Sequence, residues 1–250
     1  CWSLVGSEMC IRDRLKTSPC YSRLAELGAV FGSVYGWERA NWFAPKNYQL
    51  TESDLNRDDT LWNKNHSAPL ADGRIVEKNS FRRSNYFDFV GQECRHVQSS
   101  VGILDMSAFS KASVEGSDSE TWLNSILANK VPSKPGRIAL CHMLSLNGGV
   151  RAEFTVYRKS RNSFYLVFSG ATERHDWDYL NKLLPKNRSI NIQNITTQKG
   201  VFVIAGPKSR SLLQKLTDTS LDNEHFPWLT GKTVNIGYGI ADALRINFVG

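Results

Sequence analysis

The dipeptide Asn147-Gly148 lies between two segments rich in apolar residues, 138–146 and 150–158. Asn and Gly adopt the positive φ angles that a two-residue hairpin turn requires, so the pattern predicts a tight β-hairpin in which Leu146 pairs with Gly149. This feature constrains the fold more than any other in the chain, because it sets the register of two long strands.

The predicted register places Glu153 opposite His142, on the strand face that also carries Thr155 and Tyr157. A neighbouring Glu and His can hold a proton near neutral pH. A three-residue loop would shift the partner of Glu153 to Met143 and remove the pair. Two interpretations of Glu153 remain open, a solvent-exposed side chain or an acid with a chemical role, because a buried unpaired carboxylate is costly.

The rest of the chain mixes helices and strands. Apolar spacing predicts helices over residues 23–31, 89–100 and 171–184, one that begins at a capping box formed by Ser117 and Glu120, and one that begins at Pro207. Strands are predicted over residues 102–106, 111–115, 138–146, 150–158, 164–168, 190–195, 201–205, 233–236 and 241–248. This order predicts an α+β fold with a mixed, mostly antiparallel sheet and packed helices.

Composition argues against several classes of protein. The 250 residues contain no apolar run of about 18 residues, which argues against a membrane span. The net charge of +7 is spread along the chain, so no basic stripe indicates nucleic-acid binding, although a basic groove could take an anionic ligand. The five cysteines lack metal-ligand spacing, which predicts no metal site and suits reduced thiols in an intracellular protein.

Three further blocks accompany the hairpin: residues 36–43 (GWERANWF), 102–107 (GILDMS) and 205–210 (AGPKSR). Blocks 102–107 and 205–210, with the hairpin between them, in this order and spacing resemble the folate-binding aminomethyltransferase domain of the glycine-cleavage T-protein group. More closely, they resemble the version fused to the C-terminal side of dimethylglycine and sarcosine dehydrogenases, in which a segment like 36–43 joins the flavin domain to the folate domain. The resemblance covers residues 17–250 and is weaker over 51–77.

The resemblance implies a T-protein-like folate-binding fold in which the acid of the hairpin points into a cavity. In the family that this chain resembles, that acid lies beside the folate nitrogens and is implicated in proton handling during one-carbon transfer. Glu153 matches it, where the family usually has Asp, and is the predicted catalytic residue. The predicted cofactor-binding residues are Glu153, His142, Arg245 and Phe248, the last at a position where the family commonly has Tyr. Core packing is the alternative role of Arg245 and Phe248.

The resemblance also implies a division of the chain. Residues 1–15 do not resemble the family and look like translated sequencing adapter. Residues 16–45 match the end of the flavin oxidoreductase central domain, and 46–80 are predicted to be an exposed connecting loop. Residues 81–250 match the N-terminal part of the folate-binding domain. The fold is therefore expected to be incomplete at its C-terminus, and the chain alone is expected to lack oxidase activity and a finished folate pocket.

The function implied is that of an FAD-dependent dehydrogenase acting on the CH–NH group of an N-methyl amine, dimethylglycine or sarcosine. Tetrahydrofolate is the implied cofactor of this domain and FAD that of an upstream domain. The expected partners are a small-molecule substrate, folate and the flavin domain in the same chain, with no nucleic acid and no membrane. The expected location is the cytoplasm of a bacterium or the mitochondrial matrix of a eukaryote.

Two alternative functions stay open: a stand-alone aminomethyltransferase or folate-dependent demethylase, and a non-catalytic folate-binding module. Three weaker site candidates also remain. Asp105 ends a predicted strand, where Asp usually forms a turn. Lys208 and Arg210 open a predicted helix, where an anion could bind or the cations could stay solvated.

Overall fold

A computed structural model describes residues 16–46, 48, 86–186 and 189–247. The predicted leader 1–15, most of the predicted loop 46–80 and Phe248 lie outside the described residues. The chain divides into two compact units, one formed by Cys1–Asp105 and Phe202–Pro207, the other by Met106–Val201 and Lys208–Gly250. No helix in the described part of the chain is both long enough and apolar enough to cross a membrane.

The described residues of the first unit form two short antiparallel ribbons and two helices. In chain order its elements are α1 (Tyr21–Glu26), β1 (Ala29–Val34), β2 (Trp37–Phe43), α2 (Phe87–Ser99), β3 (Gly102–Asp105) and β9 (Phe202–Ala205). Strand β1 pairs with β2, and β3 pairs with β9. Trp42 is buried and stacks on Phe89 of α2, with 5.4 Å between the ring centroids, so aromatic contacts make the small core of this unit.

The second unit is built around a five-stranded antiparallel sheet with the order β5-β6-β7-β4-β8. Its elements are β4 (Ser110–Glu115), α3 (Ser119–Ile126), β5 (Ile138–Leu144), β6 (Val150–Ser160), β7 (Ser163–Phe168), α4 (Glu173–Lys182), β8 (Asn191–Asn194), α5 (Ser209–Gln214), β10 (Thr230–Ile236) and β11 (Gly239–Arg245). Strands β10 and β11 form a separate hairpin. The mixture of helices and antiparallel strands confirms the predicted α+β class.

One face of the five-stranded sheet packs against α3 and α4. Phe154, Val156 and Leu166 from the strands are buried together with Leu123 of α3 and Leu180 of α4. Because side chains alternate along a strand, the outward face carries the residues between these positions. That outward face contains the candidate site.

The predicted hairpin forms, but its loop differs from the two-residue turn predicted at Asn147-Gly148. The Ser145 amide donates to Gly149 O at 2.8 Å and the Gly148 amide to Ser145 O at 2.9 Å, so residues 146–148 form a three-residue loop. Gly148 adopts a φ of +80°. The loop shifts the pairing by one residue, and a β-bulge at Arg151 shifts it back, so His142 still pairs with Glu153 as predicted.

Two local predictions are wrong. The helix predicted over residues 23–31 ends at Glu26, because the chain turns at Gly28, which has a φ of +90°, and continues as β1. The predicted capping box does not form, since α3 begins at Ser119 without a side-chain cap. The carboxylate of Glu120 instead lies 2.7 Å from the guanidinium of Arg158, a charged partner that the local sequence does not reveal.

Candidate functional site

His142 and Glu153 form a hydrogen-bonded pair on the outward face of the sheet. Nε2 of His142 lies 3.0 Å from Oε2 of Glu153. The Glu153 side chain is 59% exposed and that of His142 33% exposed. The pair therefore lies on an open surface, and the enclosed cavity expected beside Glu153 is not formed by the described residues.

Burial of the intervening residues holds the pair in place. Ala152 and Phe154, on either side of Glu153, are buried in the core, as are Cys141 and Met143 on either side of His142. A one-residue slip of either strand would move these side chains out of the core, so the register is strongly specified. Burial also raises the pKa of the Cys141 thiol to about 11, which keeps that thiol protonated next to the site.

Apolar and partly apolar side chains lie next to the His142–Glu153 pair on the same face of the sheet. Leu140 pairs with Thr155, and Thr155 pairs on its other side with Val167 of β7. Leu140 is half exposed. We call the five residues His142, Glu153, Leu140, Thr155 and Val167 the outward strip. It offers a carboxylate that accepts hydrogen bonds, an imidazole that can donate or accept, and apolar side chains that can contact a flat ring.

A second polar group lies further along the same face. Asp242 of β11 accepts hydrogen bonds from Lys159 Nζ at 2.8 Å and from Thr233 Oγ1 at 2.9 Å. Partial burial opposes ionisation of Asp242, but these hydrogen bonds outweigh it and lower the pKa of the carboxyl. Burial, reinforced by the charge of Asp242, raises the pKa of both Tyr157 and Tyr165. The two phenols are therefore neutral at pH 7.

Arg245, a predicted cofactor-binding residue, contacts the loop that precedes β10. Its guanidinium donates to the Phe226 carbonyl oxygen and to Asn223 Oδ1, the latter at 2.7 Å. Arg210 donates to the same Asn223 oxygen at 2.9 Å. The two arginines thus hold the loop that precedes β10, whereas His142 and Glu153 contact each other.

Of the weaker candidates, Asp105 ends β3, where it pairs with Phe202. Lys208 directly precedes α5, a helix of six residues. Among the described residues, no group of three or more His, Cys, Asp or Glu side chains is placed to hold a metal ion.

A polar cluster at the tip of the hairpin was not predicted. The guanidinium carbon of Arg151 lies 3.7 Å from the ring centroid of Tyr179, and its Nη2 lies 3.0 Å from Nε2 of His175. Nδ1 of His175 lies 3.0 Å from the buried carboxylate of Asp176, which also accepts from Thr172 Oγ1 at 2.5 Å. His175 and Tyr179 are four residues apart on α4, a spacing that puts them on one helix face.

The same helix borders an open cleft of about 750 Å³ whose lining includes Thr172, His175 and Trp177. The spacing of His175 and Tyr179 in the sequence indicates that they share a helix face. No residue near Arg151 in the sequence indicates that Arg151 contacts them. The contact depends on the bulge.

The match to a family model decides the relationship of the chain to known proteins. A model described as the GCVT N-terminal domain matches residues 20–250. The chain belongs to this family. The similarity stated from the sequence blocks is thereby confirmed, since the matched residues include the hairpin and all three accompanying blocks.

Curated relatives of this GCVT N-terminal domain include dimethylglycine and sarcosine dehydrogenases. Human mitochondrial dimethylglycine dehydrogenase is 32% identical over 240 residues, which cover 96% of this chain and 25% of that protein. Human mitochondrial sarcosine dehydrogenase is 26% identical over 251 residues, covering 94% and 27%. The chain therefore spans about a quarter of the length of these relatives.

A solved structure supports the fold. The glycine cleavage system aminomethyltransferase T from Bartonella henselae superimposes with a TM-score of 0.61 at 18% identity, covering 87% of this GCVT N-terminal domain and 47% of that protein. At this identity the likeness concerns the fold alone. It agrees with the T-protein-like architecture expected from the sequence.

Proposed function

We propose that the chain is the tetrahydrofolate-binding part of an FAD-dependent dehydrogenase that oxidises an N-methyl group of dimethylglycine or sarcosine. The observation that carries the proposal is the similarity to dimethylglycine dehydrogenase over 96% of the chain, combined with a His142–Glu153 pair at the hairpin. In this proposal FAD belongs to an upstream part of the protein. The protein works in the mitochondrial matrix if it is eukaryotic and in the cytoplasm if it is bacterial.

The outward strip suits a reduced pterin. Such a ring presents N–H donors along one edge and a flat face, which match a carboxylate acceptor beside the apolar surface of Leu140 and Val167. Tetrahydrofolate, when bound, supplies the amine nitrogens that take up a one-carbon unit. Glu153 accepts a hydrogen bond from an N–H of the ring edge and takes up that proton when the nitrogen releases it, while His142 orients the carboxylate through its Nε2.

The solvent exposure of the outward strip determines how tightly we expect tetrahydrofolate to bind. Glu153 is more than half exposed, so water competes for its carboxylate and screens its charge. We therefore expect the 250-residue chain to bind tetrahydrofolate weakly. A tight site needs further surface that covers the strip and excludes water, which also favours transfer of a reactive carbon unit.

The complete reading frame that contains this chain tests the dehydrogenase assignment. The proposal predicts a flavin domain with a G-x-G-x-x-G segment upstream, within the same frame. A frame that encodes only the folate-binding domain would contradict it and favour a stand-alone aminomethyltransferase or a non-catalytic folate-binding module. Assay of the full-length protein for oxidation of dimethylglycine and sarcosine then distinguishes the two substrates.

A further inference from the structure

We propose that Arg151 is a competing cation for Glu153 that the bulge keeps away: the bulge turns its guanidinium to the helix side of the sheet, which leaves the Glu153 carboxylate to His142. This role concerns the regulation of the proposed folate site and rests on that proposal. We also infer that the hairpin tip has two arrangements with the same strand register. This second statement depends only on the geometry of the hairpin and not on folate binding.

The bulge changes the side of the sheet on which Arg151 lies. In a regular strand, residues 151 and 153 share a face, with their Cβ atoms about 7 Å apart. In the structure Leu144 pairs with Val150 and Met143 with Ala152, so Arg151 is the extra residue. Its guanidinium packs on Tyr179, which belongs to the same core cluster as Ala152.

A second arrangement of the tip is compatible with the same core. If Asn147-Gly148 formed a two-residue turn, Leu146 would pair with Gly149 and Leu144 with Arg151, without a bulge. The pairing of Met143 with Ala152 and of His142 with Glu153 would not change. Only the tip would differ, and Arg151 would then lie on the outward strip beside Glu153.

The two arrangements place the guanidinium of Arg151 on opposite faces of the sheet. On the outward strip, the guanidinium of Arg151 could form a charge-assisted hydrogen bond with Glu153 and displace His142. On the helix side, it stacks on Tyr179 and donates to His175 Nε2, which must accept because an arginine has no acceptor. These contacts of Arg151 with Tyr179 and His175 are its anchor on the helix side. The anchor leaves one donor unsatisfied, since Nε of Arg151 is buried without a hydrogen-bond partner among the described residues. The unsatisfied donor destabilises the helix-side arrangement and so reduces the free-energy difference between the two arrangements.

The experiment removes the anchor while it keeps Arg151. The double variant His175→Ala/Tyr179→Leu of the 250-residue chain retains an apolar side chain at the packed position. The NMR cross-strand contacts between Leu144 and Val150 should be replaced by contacts between Leu144 and Arg151. The Kd for tetrahydrofolate should rise about tenfold, the effect of one charge-assisted hydrogen bond lost to a competing cation.

Two rescue variants separate this role from a structural one. Adding Arg151→Ala to the double variant removes the competing cation and should restore the wild-type Kd within about twofold, a change smaller than one typical hydrogen bond. Adding Asn147→Val should restore the Leu144–Val150 contacts, because a β-branched residue disfavours the positive φ of the two-residue turn. Unchanged contacts in the double variant, or no rescue by Arg151→Ala, would overturn the proposal.

A single variant covers the case in which the double variant does not fold. His175 is 58% exposed, so His175→Ala alone removes no buried side chain and should produce the same shift with a smaller amplitude. If the wild-type chain shows no tetrahydrofolate binding at all, the proposed function fails. The Leu144 contacts still decide whether the two arrangements of the tip exist.

Discussion

The guanidinium of Arg158 lies 2.7 Å from the carboxylate of Glu120, although the two side chains are 5% and 41% exposed, respectively. Arg158 also donates to the backbone oxygens of Pro132, Ser160 and Arg161. The buried cation of β6 thus contacts three backbone carbonyl groups and helix α3. This arrangement explains why an arginine is tolerated in the sheet.

We predict that Arg158→Met destabilises the protein strongly. The substitution removes the guanidinium donor from the carbonyl groups of Pro132, Ser160 and Arg161, the first of which is buried, and the loss should reach about 2–4 kcal/mol in urea denaturation. Glu120→Gln is the control, because its carboxylate is partly exposed and Arg158 keeps its backbone partners; its cost should be below about 1 kcal/mol. Equal effects of the two substitutions would show that the ion pair, and not the carbonyl network, stabilises this region.

Gly206 is predicted to resist substitution. It has a φ of +110°, and a Cβ at this position would lie 2.4 Å from Ser100 O and 2.5 Å from Val97 O. Gly206→Ala should therefore cost more than about 2 kcal/mol, whereas Gly148→Ala, with a positive φ but open space, should cost about 1 kcal/mol. Thermal denaturation of both variants checks this, and similar costs would refute the steric explanation.

Asp242 should contribute stability that depends on pH. Its folded-state pKa is lowered, so its contribution is present above the ordinary carboxyl pKa and is lost as the pH falls through the folded value. Asp242→Asn should cost about 1–3 kcal/mol at pH 7, and the difference from wild type should shrink below about pH 4. Asp178→Asn, at an exposed i,i+4 pair with Lys182, should show no measurable change. A pH-independent difference for Asp242→Asn would contradict the prediction.

Cys141 should be unreactive in the folded protein. Burial shields its thiol and raises its pKa to about 11, so almost no thiolate is present at pH 8. Cys94 on α2 is exposed and serves as the internal control. Mass spectrometry after alkylation at pH 8 should find Cys94 modified and Cys141 unmodified until denaturant is added. Rapid modification of Cys141 without denaturant would show that the sheet opens locally.

Local patterns predicted much of this fold. The alternation of Ala152, Phe154 and Val156 with Glu153 and Thr155 specifies which face of β6 is buried. The predicted pairing of Glu153 with His142 is present, although it was inferred from a two-residue turn and is restored by the bulge at Arg151. The α+β class and most of the strands followed in the same way. Such features depend on residues that are neighbours in the chain or across one hairpin.

The features that the sequence did not predict depend on distant contacts. The loop of residues 146–148 contains the expected Asn and Gly, but its length is coupled to a bulge whose Arg151 packs on α4, 28 residues away in the sequence. Glu120 was assigned to a helix cap because Arg158 was not known to be near. The contacts of Arg245 with Asn223 and Phe226, about 20 residues away in the sequence, were not predicted either, and its role at the cofactor stays a prediction. Tertiary contacts override local preference at each of these positions.

A titration of the 250-residue chain with tetrahydrofolate, followed by NMR chemical shifts, tests the role of Glu153 most directly. We predict a Kd of about 0.1–1 mM, with chemical-shift changes centred on His142 and Glu153, and an affinity at least about tenfold lower in Glu153→Gln. His142→Gln should have a smaller effect, because it only orients the carboxylate. Equal affinity of wild type and Glu153→Gln, or micromolar binding unaffected by either substitution, would contradict the proposed site.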